Sequence, residues 1–511
     1  MSTPTPTRGI STWAREHPDR PAFYCGDVVR TYAEFDERTT RLANALSARG
    51  IGEGDRVAIM LPNSIEFFEA WGAANKVGAA IVLVNWHLKT DELEYILSDS
   101  GARLLFAHRD LEAHVAPALA VTGAQVLVVG EDGPRGFEAA IAGASDDAPP
   151  VELEALGSPV FYTSGTTGRP KGVIHGQPPP GAASQMMEAQ LALWSWTADD
   201  VYILSGPAYH AGPGGWTMAA LFVGAPTVVL EMFDPREWLR LVQEHRVTCS
   251  FVVPAHFIRI LEVPEEERAK YDTSSLRLLV HAGAPCPIPV KRRIIEALAP
   301  CEISELYGAS EGGATRINSA EWLERPGSVG TPWPGVEVRI LDDAGKPVAT
   351  GETGVVYIAP PGASRFHYHD DPDKTASAWR DNAFTVGDVG HLDEDGYLFL
   401  TDRASDMVIR GGVNIYPREI EEVLYEHPAV VDCAVFGVPD ERLGEQLHAV
   451  VETRTAASVD DLQAHCRAHL ADFKVPATFE LVDELPRQPN GKVLKRLLRD
   501  QHWAGRDTKI G

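Results

Sequence analysis

The strongest constraint on the fold of this chain is an alternation of short apolar runs with amphipathic segments, which recurs through Pro300. The run at Arg56–Met60 predicts a strand, Ile65–Val77 predicts a helix, and Ala80–Val84 predicts a buried strand. Further along, a predicted strand at Thr227–Leu230 is followed by a predicted helix at Pro235–His245. Strand, helix and strand at this spacing are typical of parallel sheets with crossover helices. We therefore predict an α/β fold with parallel-rich sheets.

The pattern changes after Gly330. Shorter strands with Gly, Asp and Pro turns are predicted at Val336–Leu341, Gly354–Ile358 and Tyr397–Thr401. A helix is predicted to open at Pro417, because proline suits the first helical position. Two strands are predicted to follow, at Ala434–Gly437 and Leu447–Glu452, and then a helix at Val459–His469. This region indicates a small α+β domain, and we place the domain boundary between residues 402 and 403.

Composition excludes several classes of partner. The chain has 511 residues and 46 basic against 72 acidic side chains, a net charge of -26. Such an acidic chain is unlike a protein that binds nucleic acid or an anionic membrane. Its longest apolar runs, such as Ala79–Val84, fall short of the roughly 18 residues needed to span a bilayer, and residues 1–20 show no apolar signal core. The six cysteines form no CxxC pair, which favours a reduced, cytoplasmic protein.

One segment carries a pattern suited to phosphate. Val160 to His175 has the sequence VFYTSGTTGRPKGVIH, in which an apolar strand leads into a loop of hydroxyls and glycines closed by Lys171. Hydroxyl donors, backbone amides exposed by glycine and an ammonium group together suit an anion. The segment is not a Walker A loop, because the Gly-Lys-Ser/Thr sequence is missing. Taken alone, the loop fits a plain surface loop equally well.

The complete string resembles the phosphate loop of the adenylate-forming superfamily, which includes acyl-CoA synthetases, firefly luciferases and peptide-synthetase adenylation domains. Segments similar to the family's other motifs follow in the family's order: HAGAP at 281–285, ELYGASE at 305–311, FTVGDVG at 384–390, DRASD at 402–406 and LPRQPNGKVLKR at 485–496. The chain is most similar to bacterial acyl-CoA synthetases. The resemblance implies a large N-terminal domain, residues 1–402, with parallel-rich sheets and a small distorted β-barrel. A small mobile α+β domain, residues 403–511, would follow and carry the catalytic lysine.

The resemblance also implies a nucleotide site. Tyr307 would stack on adenine, Asp388 would accept hydrogen bonds from the ribose hydroxyls, and Arg403 would reach the ribose or a phosphate. Ser310 and Val386 stand where the family commonly has threonine. The residues that the resemblance assigns to ATP or AMP are Thr163, Ser164, Gly165, Thr166, Thr167, Gly168, Lys171, Gly283, Ala284, Pro285, Glu305, Leu306, Tyr307, Gly308, Ala309, Ser310, Asp388, Arg403 and Lys492.

A catalytic set follows from the same motifs. Lys492 would bridge the substrate carboxylate and the α-phosphate, and Glu311 with Thr163 would hold Mg²⁺. Lys171 would add positive charge, and His210 resembles the family's gate residue near the acyl carbon. The implied reaction has two steps, in which a carboxylate displaces pyrophosphate from ATP and the thiol of coenzyme A then takes the acyl group. A solvated helix face is the alternative for Lys492, which lies in a basic run.

The resemblance assigns residues to the acid and to coenzyme A as well. The acyl pocket would be formed by His210, Trp216, Val252, His281 and Ala309. Gly411, Gly412, Phe473 and Lys474 would contact coenzyme A, although a plain tight turn is equally consistent with the two glycines. Ser405 would be the hinge between the domains, where Asp or Lys is more usual. Gly212, Gly214 and Gly215 indicate room beyond the gate, so a fatty or aryl acid is favoured over acetate.

Alternatives remain open at this stage. A carrier-protein phosphopantetheine or an amine could replace coenzyme A as the acceptor, although no carrier domain is recognisable in the sequence. The sequence GASEG at 308–312 also fits the G-x-S-x-G nucleophile elbow of α/β-hydrolases, with Ser310 as the nucleophile. An elbow must lead from a strand into a helix, and Gly312 and Gly313 make a poor helix start. The expected partner is a small carboxylic acid, without nucleic acid or integral membrane association, and a homodimer is one option for the oligomeric state.

Overall fold

The computed structural model describes residues 8–149, 151, 159–163, 170–176, 182–362, 365–403, 406–455, 457–488 and 491–503. The chain divides into two compact units that do not follow chain order. The first comprises Met1–Val252, Glu266–Leu279 and Ala363–Ser377. The second comprises Val253–Glu265, Val280–Gly362 and Ala378–Gly511. The domain boundary at residues 402 and 403 stays a prediction.

The helices and strands alternate along most of the described chain. The helices are α1 (Ile10–Glu16), α2 (Tyr32–Ala48), α3 (Ile65–Lys76), α4 (Thr90–Ser100), α5 (Glu112–Thr122), α6 (Phe137–Ala142), α7 (Ala182–Leu193), α8 (Ala211–Val223), α9 (Pro235–His245), α10 (Pro254–Glu262), α11 (Glu265–Arg268), α12 (Ile288–Ala297), α13 (Ser319–Glu324), α14 (Pro372–Ala378), α15 (Pro417–Tyr425), α16 (Val459–His469) and α17 (Lys495–Trp503). The strands are β1 (Pro21–Cys25), β2 (Val28–Thr31), β3 (Arg56–Met60), β4 (Ala80–Leu83), β5 (Leu104–His108), β6 (Gln125–Val129), β7 (Pro159–Thr163), β8 (Lys171–His175), β9 (Tyr202–Leu204), β10 (Thr227–Val229), β11 (Cys249–Val252), β12 (Leu278–His281), β13 (Glu302–Ala309), β14 (Gly312–Ile317), β15 (Ser328–Pro332), β16 (Glu337–Leu341), β17 (Gly354–Ala359), β18 (Phe366–Tyr368), β19 (Trp379–Arg380), β20 (Ala383–Phe384), β21 (Asp388–Leu392), β22 (Leu398–Arg403), β23 (Val408–Arg410), β24 (Val413–Ile415), β25 (Val430–Asp440), β26 (Gly444–Thr453) and β27 (Thr478–Val482).

The first unit contains a sheet with the strand order β18-β8-β7-β4-β3-β5-β6. Its strands pair in parallel from β7 to β6, and helices α3 and α4 connect β3 to β4 and β4 to β5. Strands β8 and β18 are antiparallel additions at one edge. The predicted α/β fold with crossover helices is confirmed. Strand β3 has the predicted bounds, and β4 ends one residue earlier than predicted.

The second unit contains an antiparallel sheet that places the adenylate motifs. Its strands follow the order β13-β14-β15-β22-β21-β17-β20-β19, with β16 paired to β17. The strands in the described residues form this open path, so the expected small distorted β-barrel is not seen as a closed barrel. Strand β22 extends through Arg403 and therefore crosses the predicted boundary.

The C-terminal part of the second unit is a smaller sheet covered by helices. The order is β24-β23-β26-β25, and β27 joins β26 in parallel. Helix α15 begins at Pro417 as predicted, and α16 has its predicted bounds. Ile420, Leu424 and Leu462 lie in the apolar core of this part. The predicted α+β character of the region is confirmed.

Candidate active site

A β-hairpin carries the ELYGASE segment. Strands β13 and β14 pair antiparallel, and Ala309 faces Gly312, so Ser310 and Glu311 form a two-residue turn. The backbone approaches closely at Gly308, where an added Cβ would lie 2.8 Å from the Cα of Gly313. Because a strand and not a helix follows Ser310, the nucleophile-elbow geometry is not formed. The serine hydrolase interpretation is therefore wrong.

Three predicted nucleotide residues meet beside this hairpin. The Tyr307 hydroxyl donates a hydrogen bond of 2.8 Å to Asp388 Oδ2, and Arg403 Nε lies 3.2 Å from Asp388 Oδ1. Asp388 and Arg403 face each other across the β21–β22 ladder, which explains their contact. Burial and the neighbouring Asp388 carboxylate raise the pKa of Tyr307 well above its ordinary value, so the phenol stays a hydrogen-bond donor.

The predicted catalytic lysine lies near the same cluster. Burial, followed by the positive charge of Arg403, lowers the pKa of the Lys492 ammonium to about 8, while Asp406 and Asp388 act in the opposite direction. Lys492 therefore lies within electrostatic reach of Asp388 and Arg403, and the solvated-face alternative does not describe it. A local reason for its position is Gly491, whose φ is +83°. An added Cβ there would lie 2.6 Å from the Cβ of Ala255, so the turn before Lys492 packs directly against α10.

Glu305 and His281 form a buried group with a residue that sequence reasoning missed. The Lys291 ammonium donates to Glu305 Oε2 at 2.6 Å, and His281 Nε2 lies 3.6 Å from the same oxygen. Burial, and then the charge of Lys291, lowers the pKa of His281 well below its ordinary value, so the ring is neutral. Lys291 lies in helix α12, and no pattern in the sequence indicates that its side chain is buried.

In the first unit, Lys171 opens strand β8 and pairs with Asp371. Its ammonium lies 2.9 Å from Asp371 Oδ2. The hydrogen bond to Asp371 raises the pKa of Lys171, which keeps it cationic at neutral pH. Asp371 was also missed, since it lies 200 positions further along in an acidic turn, HDDPD. The loop between β7 and β8, with Ser164, Gly165, Thr166, Thr167 and Gly168, lies outside the described residues, as does the side chain of Thr163.

The predicted gate residue is a neutral, partly exposed histidine. His210 is the N-cap residue of α8, and burial lowers its pKa to about 4. Its Nε2 atom is buried and has no hydrogen-bond partner among the described residues. A neutral imidazole nitrogen in this position can bond to a polar group on an incoming ligand.

Aromatic rings surround the predicted pocket residue Trp216. Its ring centroid lies 5.3 Å from those of Trp194 and Trp196 and 5.5 Å from that of Phe251. All four side chains are buried, and Val252 is buried beside Phe251 in β11. Ala309 and His281 belong to the second unit: Ala309 is exposed, whereas His281 is buried.

The expectation that three glycines of α8 leave room is wrong for two of them. An added Cβ at Gly212 would lie 2.4 Å from the Phe251 ring, and at Gly214 it would lie 2.1 Å from the carbonyl oxygen of Ala208. These glycines allow close packing, and the space beside them is already filled. Only at Gly215 would an added Cβ meet nothing within 4 Å.

The predicted coenzyme A residues lie near one another on the C-terminal part. Gly411 and Gly412 form the turn between β23 and β24, with φ of +58° and +83°, so the tight-turn interpretation is confirmed. Arg410 donates to the carbonyl oxygen of Phe473, whose side chain is 44% exposed. Lys474 lies 2.6 Å from Glu419. The hinge candidate Ser405 lies outside the described residues.

The nucleotide segment at 283–285 and the metal candidate are accessible. Gly283 and Pro285 are exposed, Ala284 is partly exposed, and Gly283 has a φ of +86°. Glu311 is partly exposed in the hairpin turn and offers carboxylate oxygens, which a hard cation such as Mg²⁺ prefers. Leu306 is partly exposed within β13.

Across the described ranges, no helix has both the length and the apolar content needed to cross a bilayer.

Comparisons with known proteins cover nearly the whole chain. Residues 10–368 match the family model of AMP-binding enzymes, and residues 419–492 match that of the AMP-binding enzyme C-terminal domain. A fatty acid–[acyl-carrier-protein] ligase, ScoC, from Streptomyces coeruleorubidus is 34% identical over 97% of this chain and 96% of its own. A feruloyl-CoA synthase from an Amycolatopsis species is 37% identical over 96% of this chain and 99% of its own. The crystal structure of ATP-bound MatB from Rhodopseudomonas palustris is similar with a TM-score of 0.85 and 31% identity, over 96% of this chain and 99% of that one.

Proposed function

Because this chain belongs to the AMP-binding enzyme family and is an AMP-forming acid–thiol ligase, we propose that it joins a fatty or aryl carboxylic acid to coenzyme A through an acyl-adenylate. The observation that carries the proposal for the site is the group formed by Tyr307, Asp388, Arg403 and Lys492. It combines an aromatic ring for adenine, a carboxylate that can accept hydrogen bonds from ribose hydroxyls, and two cations. An adenylate needs these groups in one place.

In the proposed first step, the substrate carboxylate attacks the α-phosphorus of ATP and pyrophosphate leaves. Positioning and charge neutralisation carry such a step, since no covalent bond to the protein is needed. Lys492 neutralises charge between the carboxylate and the α-phosphate, and Lys171 acts on the outer phosphates. Glu311 and Thr163 would hold the Mg²⁺ that accompanies ATP, and the metal would screen the phosphates. These cations supply local positive charge in a chain with a net charge of -26.

In the proposed second step, the thiol of coenzyme A attacks the acyl carbon and AMP leaves. The turn formed by Gly411 and Gly412 supports this role, since a turn of two glycines lets a thin pantetheine arm pass the backbone. Exposed apolar side chains surround it: Val413 is 46%, Leu443 38% and Phe473 44% exposed. Together with Lys474, they suit a ligand that has both an adenine ring and phosphates.

The aromatic group around Trp216 supports an acid with a ring or an extended hydrocarbon. Trp194, Trp196, Trp216 and Phe251 place only apolar and aromatic surface around one another. Aromatic side chains pair well with ring substrates through stacked or edge contacts. An apolar acid would suit such surroundings better than a short polar acid such as acetate.

A carrier-protein phosphopantetheine is the second candidate acceptor. The relative ScoC, named as a fatty acid–[acyl-carrier-protein] ligase, favours it because the similarity extends over 97% of this chain. Coenzyme A and a carrier protein present the same pantetheine thiol, so the first step is shared.

A cytoplasmic location is also part of the proposal and is supported by the six cysteines, which are all free thiols. A homodimer stays a prediction, which a measurement of the molecular mass in solution would test.

A panel of carboxylic acids tests the proposal. Purified protein with ATP and Mg²⁺ is assayed for acid-dependent pyrophosphate release, with coenzyme A, with a phosphopantetheinylated carrier protein, or with neither. We expect release with aryl or medium-to-long-chain acids, little release with acetate, and thioester product with coenzyme A. Thioester only on the carrier protein would overturn the choice of acceptor and leave the adenylation step intact. The absence of pyrophosphate release with every acid would overturn the proposal.

A further inference from the structure

Two histidines and a glutamate converge in the C-terminal part, on residues that the proposed reaction does not use. His448 lies on β26, Glu480 on β27 and His502 on α17. One nitrogen or oxygen from each of the three lies within 4.8 Å of the corresponding atoms of the other two. The rings of His448 and His502 have centroids 4.8 Å apart. These three residues are called the His448 group below.

His448 is held in place from its other side. Its Nδ1 atom lies 2.6 Å from the hydroxyl oxygen of Thr478, which faces it across the β26–β27 ladder. The His448 residue is only 6% exposed, and its Nε2 atom is buried without a hydrogen-bond partner among the described residues. This nitrogen points to Glu480, whose Oε2 lies 3.8 Å away. A buried nitrogen that is oriented by a second bond and has no partner of its own is the arrangement expected for a metal ligand.

The sheet register explains why the ligands share one face. Thr478 faces His448, and Glu480 faces Val450, two residues further along both strands. Side chains two apart on a strand point to the same side. Helix α17 brings His502 to that side, and its end is tied down by a bond of 3.1 Å from Trp503 Nε1 to the carbonyl oxygen of Gly437.

We propose that the His448 group binds one zinc-type divalent transition-metal ion through His448 Nε2, Glu480 and His502, with water in the fourth position. Two imidazoles and one carboxylate form a ligand set that zinc uses in proteins. Neighbouring ligand atoms in a tetrahedral zinc site are separated by about 3.3 Å. Glu480 and His502 are exposed, so their side chains can close the remaining distance by rotation.

The bound ion would fasten α17 to strands β26 and β27. Helix α17 begins at Lys495, three residues after Lys492. The metal therefore acts on the C-terminal part as a cross-link that is separate from the Mg²⁺ of the nucleotide site. Its expected effect is a higher thermal midpoint of unfolding.

A second histidine group in the same part supplies a matched control. His427, His465 and His469 have neighbouring rings, with centroids of His465 and His469 4.5 Å apart. In two of these rings one nitrogen already has a backbone partner: His465 Nε2 lies 2.8 Å from the carbonyl oxygen of Val423, and His469 Nδ1 lies 2.9 Å from that of His465. We therefore expect His469→Ala to leave zinc binding unchanged.

Calorimetric titration of the full, chelator-treated chain with Zn²⁺, without ATP or Mg²⁺, tests the proposal. We expect one ion per chain in the natural protein and in His469→Ala. His502→Ala and Glu480→Gln change exposed side chains and should fold, and each should weaken zinc affinity by about 100-fold or more. Thr478→Val, which removes only the orienting hydroxyl, should weaken it by about 10- to 100-fold. Titration with Co²⁺ gives a second readout, since a bound cobalt ion absorbs visible light according to its ligands.

Three outcomes would overturn the assignment. The first is the failure of the natural protein to take up zinc. The second is zinc binding by His502→Ala with unchanged affinity, and the third is the loss of binding in His469→Ala, because either result would place the ion elsewhere. None of these outcomes depends on the ligase reaction, so each would leave the proposed function untouched.

Discussion

At Asp388, one carboxylate is engaged by two side chains from different strands. Tyr307 donates to one oxygen and Arg403 lies beside the other, so the carboxylate has a defined orientation before any nucleotide binds. A carboxylate so oriented is prepared to accept hydrogen bonds from two neighbouring hydroxyls. Lys492 and Lys171 also each lie near acidic groups, Asp406 and Asp371 among them. Before a nucleotide binds, both cations therefore have acidic groups of the protein nearby.

Substitutions at Tyr307 separate the ring from its hydroxyl. If the ring stacks on adenine, Tyr307→Phe should keep ATP affinity within about threefold, since only the bond to Asp388 is lost. Tyr307→Ala removes the stacking surface and should weaken ATP binding by about 5- to 150-fold, corresponding to about 1–3 kcal/mol. Calorimetric titration with ATP and Mg²⁺ measures both. Equal losses in the two variants would show that the hydroxyl, and not the ring, matters.

The lowered pKa of Lys492 predicts a pH dependence of the first step. The protonated amine is the useful form, so kcat/KM for pyrophosphate release should fall as pH rises through about 8. Lys492→Ala should reduce this step by about 100- to 1,000-fold, yet largely spare thioester formation from a supplied acyl-adenylate. Lys492→Arg stays charged and should lack the alkaline fall. A fall of the same midpoint in Lys492→Arg would assign the titration to another group.

At the scale of elements, helix α8 shows how glycine can serve packing. Gly212 and Trp216 lie one turn apart, and both contact Phe251 of β11. The helix therefore lies closer to β11 than a side chain at position 212 would allow. His210 is the N-cap residue of the same helix. This close packing therefore also determines the position of His210, the predicted gate residue.

A matched pair of alanines tests this packing. Gly212→Ala would bring a Cβ to within 2.4 Å of the Phe251 ring and should lower the free energy of unfolding by about 1–3 kcal/mol. Gly215→Ala meets no neighbour and should be neutral or stabilise α8 by up to about 1 kcal/mol. Chemical denaturation measures both. Adding Phe251→Leu should restore part of the stability of Gly212→Ala, and the lack of any restoration would contradict the contact.

At the scale of the whole molecule, each compact unit carries its own share of the predicted site residues. Lys171, His210 and Trp216 belong to the first unit, whereas Tyr307, Asp388 and Lys492 belong to the second. The resemblance to adenylate-forming enzymes predicts that the C-terminal domain rotates about Ser405 between the two steps. Such a rotation would let Lys492 act in the adenylation step and would let the turn at Gly411 and Gly412 contact coenzyme A in the thioester step.

Restricting the backbone at Ser405 tests the rotation. Ser405→Pro limits φ at the hinge candidate, so thioester formation should slow by about tenfold or more while adenylation changes little. Ser405→Ala keeps the backbone freedom and serves as the control. Single-turnover measurements of pyrophosphate release and thioester formation separate the steps. An equal slowing of both steps by proline would argue against a hinge at this position.

The sequence alone predicted much of the local structure and the order of the motifs. A continuous apolar run predicted β3, and helical periodicity predicted α9 and α16, each at its observed bounds. It placed β25 less well: the apolar run predicted Ala434–Gly437, whereas the strand extends over Val430–Asp440. The extension includes the polar residue Asp432, which is 2% exposed and is bonded by Tyr425 and Arg487. Arg487 lies 55 positions from Asp432, and no local pattern indicates their contact.

What the sequence by itself determined about this protein is its family, its alternation of strands and helices, and the residue types available for adenylate chemistry. Only the tertiary structure decided which of these side chains meet: Asp388 with Tyr307 and Arg403, Lys171 with Asp371, Glu305 with Lys291, and His448 with His502. The physical reason is that secondary structure follows from neighbours within a few positions of the chain. Contacts between side chains, and the pKa changes that burial produces, depend on strand register and packing between distant segments.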